Sequence, residues 1–206
     1  MSEVTRSTQT TSATAAAYAG RRRQAQPNGW WGVALLVATE ATLFGSLLAS
    51  YFYLRFKTEV WPPAGIEPPD IVLPLCLTGA LVATSLPLFL AVRAARAANV
   101  SATRWLIVLA VLVQAGYVAV QVILFKQDLS EFSPRDTAYG SIYFTMLAAH
   151  HAHVVFGILL ELGLFVKLLG GLTNYRLIGV RVVALYWYFV NAVAVMVVLT
   201  QLSPSL

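Results

Sequence analysis

Groups that ionise or hydrogen-bond strongly sit inside stretches otherwise built from aliphatic and aromatic residues. Glu40 lies within WWGVALLVATEATLFGSLLASYFYLRF, and His150, His151 and His153 lie together in a later apolar run. Asn191 follows Tyr188 by one turn in the last run, and Gln114, Tyr117 and Gln121 share one helical face by their i, i+3, i+7 spacing. Three imidazoles invite three chemistries. Bis-histidine haem ligation needs axial ligands from opposite sides of the ring, and all the histidines of this chain lie within four consecutive residues of one helix. A metal site from His150 and His153, which share a face at i, i+3, would need further ligands, for which Glu40, Cys76 and the methionines are the candidates. The third reading is a hydrogen-bonding or lipid-contacting cluster that locks helices together; it needs no further ligand and is the preferred one. Glu40 has a similar choice between a section of a proton path and a neutral acid bonded to His or Ser, and the second is favoured because one carboxylate does not make a transmembrane relay.

The elements that must position these groups follow from composition. Hydrophobic residues make up 58% of the 206 and charged residues only 11%, where a soluble domain carries about 25%. That composition excludes a water-facing globular domain, and the single cysteine excludes a disulfide scaffold. No Gly-rich phosphate loop and no zinc spacing is present, and no nucleic-acid partner is expected. Residues 1–29, rich in Ser, Thr, Ala and Gln and ending in Arg21-Arg22-Arg23 and Pro27-Asn28-Gly29, read as a disordered or extended polar tail rather than a signal peptide. Residues 30–206 then hold five apolar segments, about 30–56, 70–92, 105–125, 139–166 and 182–202, each near the roughly 20 residues that cross a bilayer. The fold class is an all-α integral membrane protein, a five-transmembrane-helix bundle, since the runs are too long and too unalternating for strands.

Finer expectations attach to particular residues. Pro74 and Pro87 predict a kink or break in the second span. Gly45, Ser46, Ala49 and Ser50 predict close packing of the first helix. Trp30, Trp31, Trp61, Trp105 and Tyr139 stand at span ends, where interfacial aromatic belts form, whereas Trp187 lies within a span. Glu40, the histidines and Asn191 fall at similar depth and suggest one polar layer, with Glu161 expected to reach the inner interface or to pair with Lys167. Ten of the fourteen Lys and Arg residues fall on one side (Arg6, Arg21, Arg22, Arg23, Arg93, Arg96, Arg104, Lys167, Arg176, Arg181). By the positive-inside rule that side, with the N-terminus, is cytoplasmic and the C-terminus lies outside. Glu59, Glu67, Asp70, Asp128, Glu131 and Asp136 collect on the other side, so the net +5 describes two oppositely charged faces and not one basic protein. The polar residues form a layer rather than a continuous path, and no internal repeat is visible, which weighs against a free-standing channel or transporter.

Over about residues 30–204 these segments resemble the subunit III family of haem–copper oxidases, the cytochrome c oxidase subunit III family, in its short five-helix bacterial form. Glu40 stands at the family's membrane glutamate. The loop WPPAGIEPPD is similar to W-P-P-x-G-I-x-P, and DTAYGSIYFTMLAAHHAHVVFG aligns with Y-G-S-x-F-F … H-G-x-H-V-x-x-G, bringing Gly140, Ser141, His150, His153 and Gly157 into register. The last helix reads YWYFVN against the family's Y-W-H-F-V-D. Departures are His151 for a glycine, Tyr188 and Asn191 for a histidine and an aspartate, and Leu124 for the glutamate that follows Gln121. The resemblance implies a non-redox accessory subunit with no cofactor of its own, haem and copper being in partner subunits, the haems and active-site copper in subunit I, with subunit II and other oxidase subunits as further partners. It also implies bound phospholipid, and a role in assembly and in proton and oxygen supply to subunit I, in a proton-pumping complex that reduces oxygen to water. Glu40, His150, His153, Asn191, Tyr188 and Gln121 are the expected polar, lipid-related or proton-related layer, and Trp61, Arg93, Arg96, Arg176 and Arg181 the expected contacts of lipid headgroups. A quinol oxidase subunit III, or the related accessory protein of nitric oxide reductase, is the alternative.

Overall fold

The structure, a computed structural model, describes residues 28–67, 70 and 72–204. The polar tail up to residue 27 lies outside the described residues. Six helices follow: α1 Asn28–Lys57, α2 Val72–Ala83, α3 Ser85–Arg96, α4 Val100–Glu131, α5 Ala138–Leu169 and α6 Asn174–Leu202. With α2 and α3 taken as one broken span, they give five spans long and apolar enough to cross a membrane, and no strand is present among the described residues.

Sequence-encoded caps set where spans 3 to 5 begin. Asn99, Thr137 and Thr173 each precede a helix, and their side-chain oxygens accept from the backbone N–H of Ala102, Gly140 and Arg176 at 3.0, 3.0 and 3.2 Å. Each bond satisfies one of the orphan donors of the first turn. The fifth span, α6, starts eight residues before the apolar run at 182, because Thr173 caps a polar turn that continues the helix past the hydrocarbon edge. The second span breaks at Thr84. Pro87 explains this, since its missing N–H and its ring act on the carbonyl of Ala83 one turn back. Pro74 does not break the span. It lies in the first turn of α2, where a missing N–H has no intrahelical partner to lose.

Spans 2, 3, 4 and 5 close into a ring: span 2 packs on spans 3 and 5, and span 4 packs on spans 3 and 5, while among the described residues the backbones of the diagonal pairs 2–4 and 3–5 do not come close. Span 1 stands outside this ring in the groove between spans 4 and 5. Its buried residues are Phe44 and Tyr51, with Leu47 and Leu48 packed beside them. The strip of Gly45, Ser46, Ala49 and Ser50 is exposed, so it does not make the close packing expected of it within this chain. The aromatic belt is also only partly realised. Trp31 and Trp105 are exposed, but Tyr139 is buried and Trp61 packs edge-on against both Tyr51 and Tyr139. Bulky aromatics from three spans meet at this end, so their rings fill a core instead of facing the interface.

Candidate functional site

The polar residues fall into two places. The first is on the outer wall of the ring. His153 Nε2 lies 2.9 Å from Glu40 Oε2, joining spans 1 and 4, and His153 Nδ1 lies 2.6 Å from the Ala149 carbonyl oxygen, the backbone group one turn earlier. An imidazole between a carbonyl and a carboxyl group must donate at Nδ1, so Nε2 either donates from a cationic ring to a carboxylate or, in a neutral ring, accepts from the protonated Glu40 carboxyl group. Either arrangement gives the pair one shared proton at bilayer depth. The ring of Phe44 stacks edge-on against His153, and Leu36, Glu40, Ala152, His153, Phe156 and Tyr186 line a groove of about 270 Å³ there. Glu40→Gln retains a hydrogen-bonding group at this position, so the yield of assembled complex after mild-detergent affinity purification is expected to stay within about twofold of the parent. Glu40→Leu leaves the His153 ring without that partner and is expected to lower it further; equal yields for both would show that the pair does not hold span 1.

The second place is inside the ring. Glu161 and Gln114 are both fully buried and bond to each other, Gln114 Nε2 donating to Glu161 Oε1 at 3.0 Å. Glu161 therefore neither reaches the inner interface nor pairs with Lys167, because its position on α5 faces span 3 and not the helix end. One turn away along α5, Gly157 receives the indole of Trp187: a Cβ on Gly157 would lie 2.6 Å from Trp187 Cζ3. The same indole donates from Nε1 to Thr84 Oγ1 at 2.7 Å. Trp187 thus starts on span 5 and reaches both span 2 and span 4, whose backbones do not approach each other closely. A turn further along span 5, Asn191 Nδ2 donates to Ser85 Oγ at 2.7 Å, across the break in span 2.

His150 is 2% exposed and neither ring nitrogen has a protein partner. It forms the deep end of a cavity of about 300 Å³ whose walls also include Tyr117, Gln121 and Gln201. His150 and His153 consequently do not converge: one faces the ring interior and the other Glu40. Among the described residues no group of three or more His, Cys, Asp or Glu side chains is placed to hold a metal ion. Tyr188 is partly buried against the apolar core. Arg93 and Arg96 are exposed at the basic end, and Arg181 is half-buried, while Arg176 sends its guanidinium to the Gly171 carbonyl. Arg104 does the same service for the end of α5, donating from Nε to Leu168 O at 3.1 Å. Trp61 Nε1 donates to Tyr51 OH at 3.0 Å. Sequence reasoning named neither the Trp187–Thr84–Gly157 contact nor the Gln114–Glu161 bond. The available signal for the latter was a glutamine and a glutamate at matching depth on consecutive spans.

Comparison with known proteins agrees with this architecture. The chain matches the family described as cytochrome c oxidase subunit III over residues 8–202. It is 28% identical to cytochrome c oxidase subunit 3 of Bacillus subtilis (strain 168) over 172 residues, covering 82% of this chain and 81% of the relative. It is 26% identical over 170 residues to quinol oxidase subunit 3 of Bacillus spizizenii, with 80% of each covered. To cytochrome c oxidase subunit 3 of Locusta migratoria it is 26% identical over 170 residues, 79% of this chain and 64% of that protein. A multi-pass membrane bundle whose sequence matches along nearly its whole length belongs to the cytochrome c oxidase subunit III family, the accessory subunits of haem–copper oxidases.

Proposed function

We propose that this chain serves as the non-redox subunit that docks on subunit I of a respiratory cytochrome c oxidase in a bacterial plasma membrane, N-terminus inside, with subunit II in the same complex. The observation that carries the reading is the donor set. The imidazoles of spans 1 to 5 all come from one helix, and they face different surroundings, His153 toward Glu40 and His150 toward the ring interior. The divergence of His150 and His153 supports the reading that haem and copper belong to the partner subunits. Span 1 supplies the docking face. It contacts only spans 4 and 5 of its own chain, and its free side carries the small-residue strip Gly45, Ser46, Ala49 and Ser50, which lets another helix approach closely. Phospholipid headgroups find exposed Arg93 and Arg96 at the basic end.

Affinity purification of the tagged chain from membranes in mild detergent tests this. A haem–copper subunit with its Soret absorption is expected to co-purify, and to be lost when the chain is purified alone in harsher detergent. A Soret band retained by the isolated chain, or no haem–copper subunit in the mild preparation, would overturn the reading. The near-equal likeness to a quinol oxidase subunit 3 keeps quinol as the second candidate donor; turnover of the purified complex on reduced cytochrome c or on a quinol separates the two.

A further inference from the structure

The interior cavity has a shape and a charge pattern that the accessory role does not require. Its walls come from all four spans of the ring. At its mouth stand Glu67, Asp70, Asp128 and Glu131, and among the described residues no Lys or Arg lines it; Arg55, Lys57, Lys126 and Arg135, the bases at that end, are not among its walls. Deeper in, the wall carries no acidic or basic side chain other than His150: Thr78, Tyr117, Gln121 and Gln201 are interspersed with aliphatic residues such as Leu124, Leu147 and Val198. The His150 ring nitrogens and Gln201 Nε2 find no protein partner, although the side chains are 2% and 8% exposed. Buried groups of this kind cost about 1–3 kcal/mol each when left unpaired. A polar cavity with room for water meets that need from the solvent at its mouth. Beyond His150 the passage stops: Val154 is fully buried one turn on, and the indole of Trp187 fills the space over Gly157. The Gln114–Glu161 pair lies on the far side of that indole.

We propose that spans 2 to 5 enclose a water-filled inlet for small hydrated cations, the proton among them, open at the acidic end, floored by the His150 imidazole and closed by Trp187. Carboxylates around a low-dielectric mouth concentrate cations and repel anions. The other ionisable groups facing the inlet are Tyr117 on span 3 and Tyr139 and Tyr143 on span 4, with Asp128 held by a 2.9 Å bond from Tyr143 OH. The inlet is a half-passage and not a channel, because the same tryptophan that seats spans 2, 4 and 5 on one another seals its base.

Two alanines on span 5 make the test. Ala194 lines the cavity and Ala184 lies on the other side of Trp187, yet they are equally buried, at 3% and 2% exposed. Each is changed to cysteine in a Cys76→Ala background, and the whole oxidase complex is labelled in oriented membrane vesicles with membrane-impermeant methanethiosulfonates. Ala194→Cys is expected to react with the ethylammonium reagent from the acidic side at least tenfold faster than Ala184→Cys, and at least tenfold faster than with the ethylsulfonate reagent. Val198→Cys, also on the wall, is expected to behave like Ala194→Cys and covers the case in which that variant fails to assemble. Equal rates for the two alanine sites, labelling from the basic side, no labelling of either wall site, or no preference for the cation would each overturn the inlet.

Discussion

Trp187→Ala is expected to lower the stability of the solubilised complex by about 3 kcal/mol, the low end of the range for removing a buried indole. The low end applies because separated membrane helices stay in lipid, so the loss is one of packing and bonding rather than of transfer from water. The loss comes from two directions. The indole reaches both span 2, through Thr84, and span 4, at Gly157, and its removal leaves a void between two spans whose backbones do not approach closely. Thr84 meanwhile keeps its own bond to the Leu81 carbonyl but no longer accepts one. Trp187→Phe retains most of the filling and loses only the donor, so its expected cost is about 1 kcal/mol. Thermal denaturation of the purified complex, followed by loss of this subunit, measures both. If Trp187→Ala denatures within about 1 kcal/mol of the parent, the indole does not hold the ring together.

The second large effect belongs to Gln114 and Glu161, and its sign pattern is the informative part. Either single change to leucine leaves a fully buried polar group without a partner, which costs about 1–3 kcal/mol. Gln114→Leu is expected to be the worse, because it leaves both oxygens of the carboxyl group unpaired. The double variant removes both groups together and leaves an apolar contact of similar volume, so it is expected to recover most of the stability lost in either single. The same denaturation measurement on the four proteins gives the coupling. Additive losses would mean that the two side chains do not depend on each other.

The five spans were legible because 20-residue apolar runs leave the chain few alternatives in lipid. The break in span 2 was legible from Pro87, though not its location at Thr84, which depends on where the proline's missing bond falls. What the sequence did not disclose was which helix faces which. Glu40 and His153 were grouped with His150 and Asn191 by depth alone, and depth says nothing about azimuth: three residues along α5 turn the ring from the interior to the face of span 1. Likewise Glu161, placed near the inner end by depth, was expected to reach the interface or to pair with Lys167. Its partner Gln114 lies 47 residues earlier, and no periodicity within either helix announces that pairing. The family resemblance singled out Glu40, His150, His153 and Gly157, but Gly157 acquires its meaning only when Trp187 is seen filling the space over it.

Span 1 touches only spans 4 and 5, and this imposes an order on biogenesis. Of the five spans, the first to be synthesised packs against the last two. Glu40 and His153 are 113 residues apart, so at about 5–20 residues per second of synthesis the carboxyl group waits roughly 6–20 s for its imidazole. During that interval span 1 has no docking surface in its own chain, and whatever shelters Glu40, whether an insertion factor, a lipid headgroup or an already assembled oxidase subunit, acts before the fold exists.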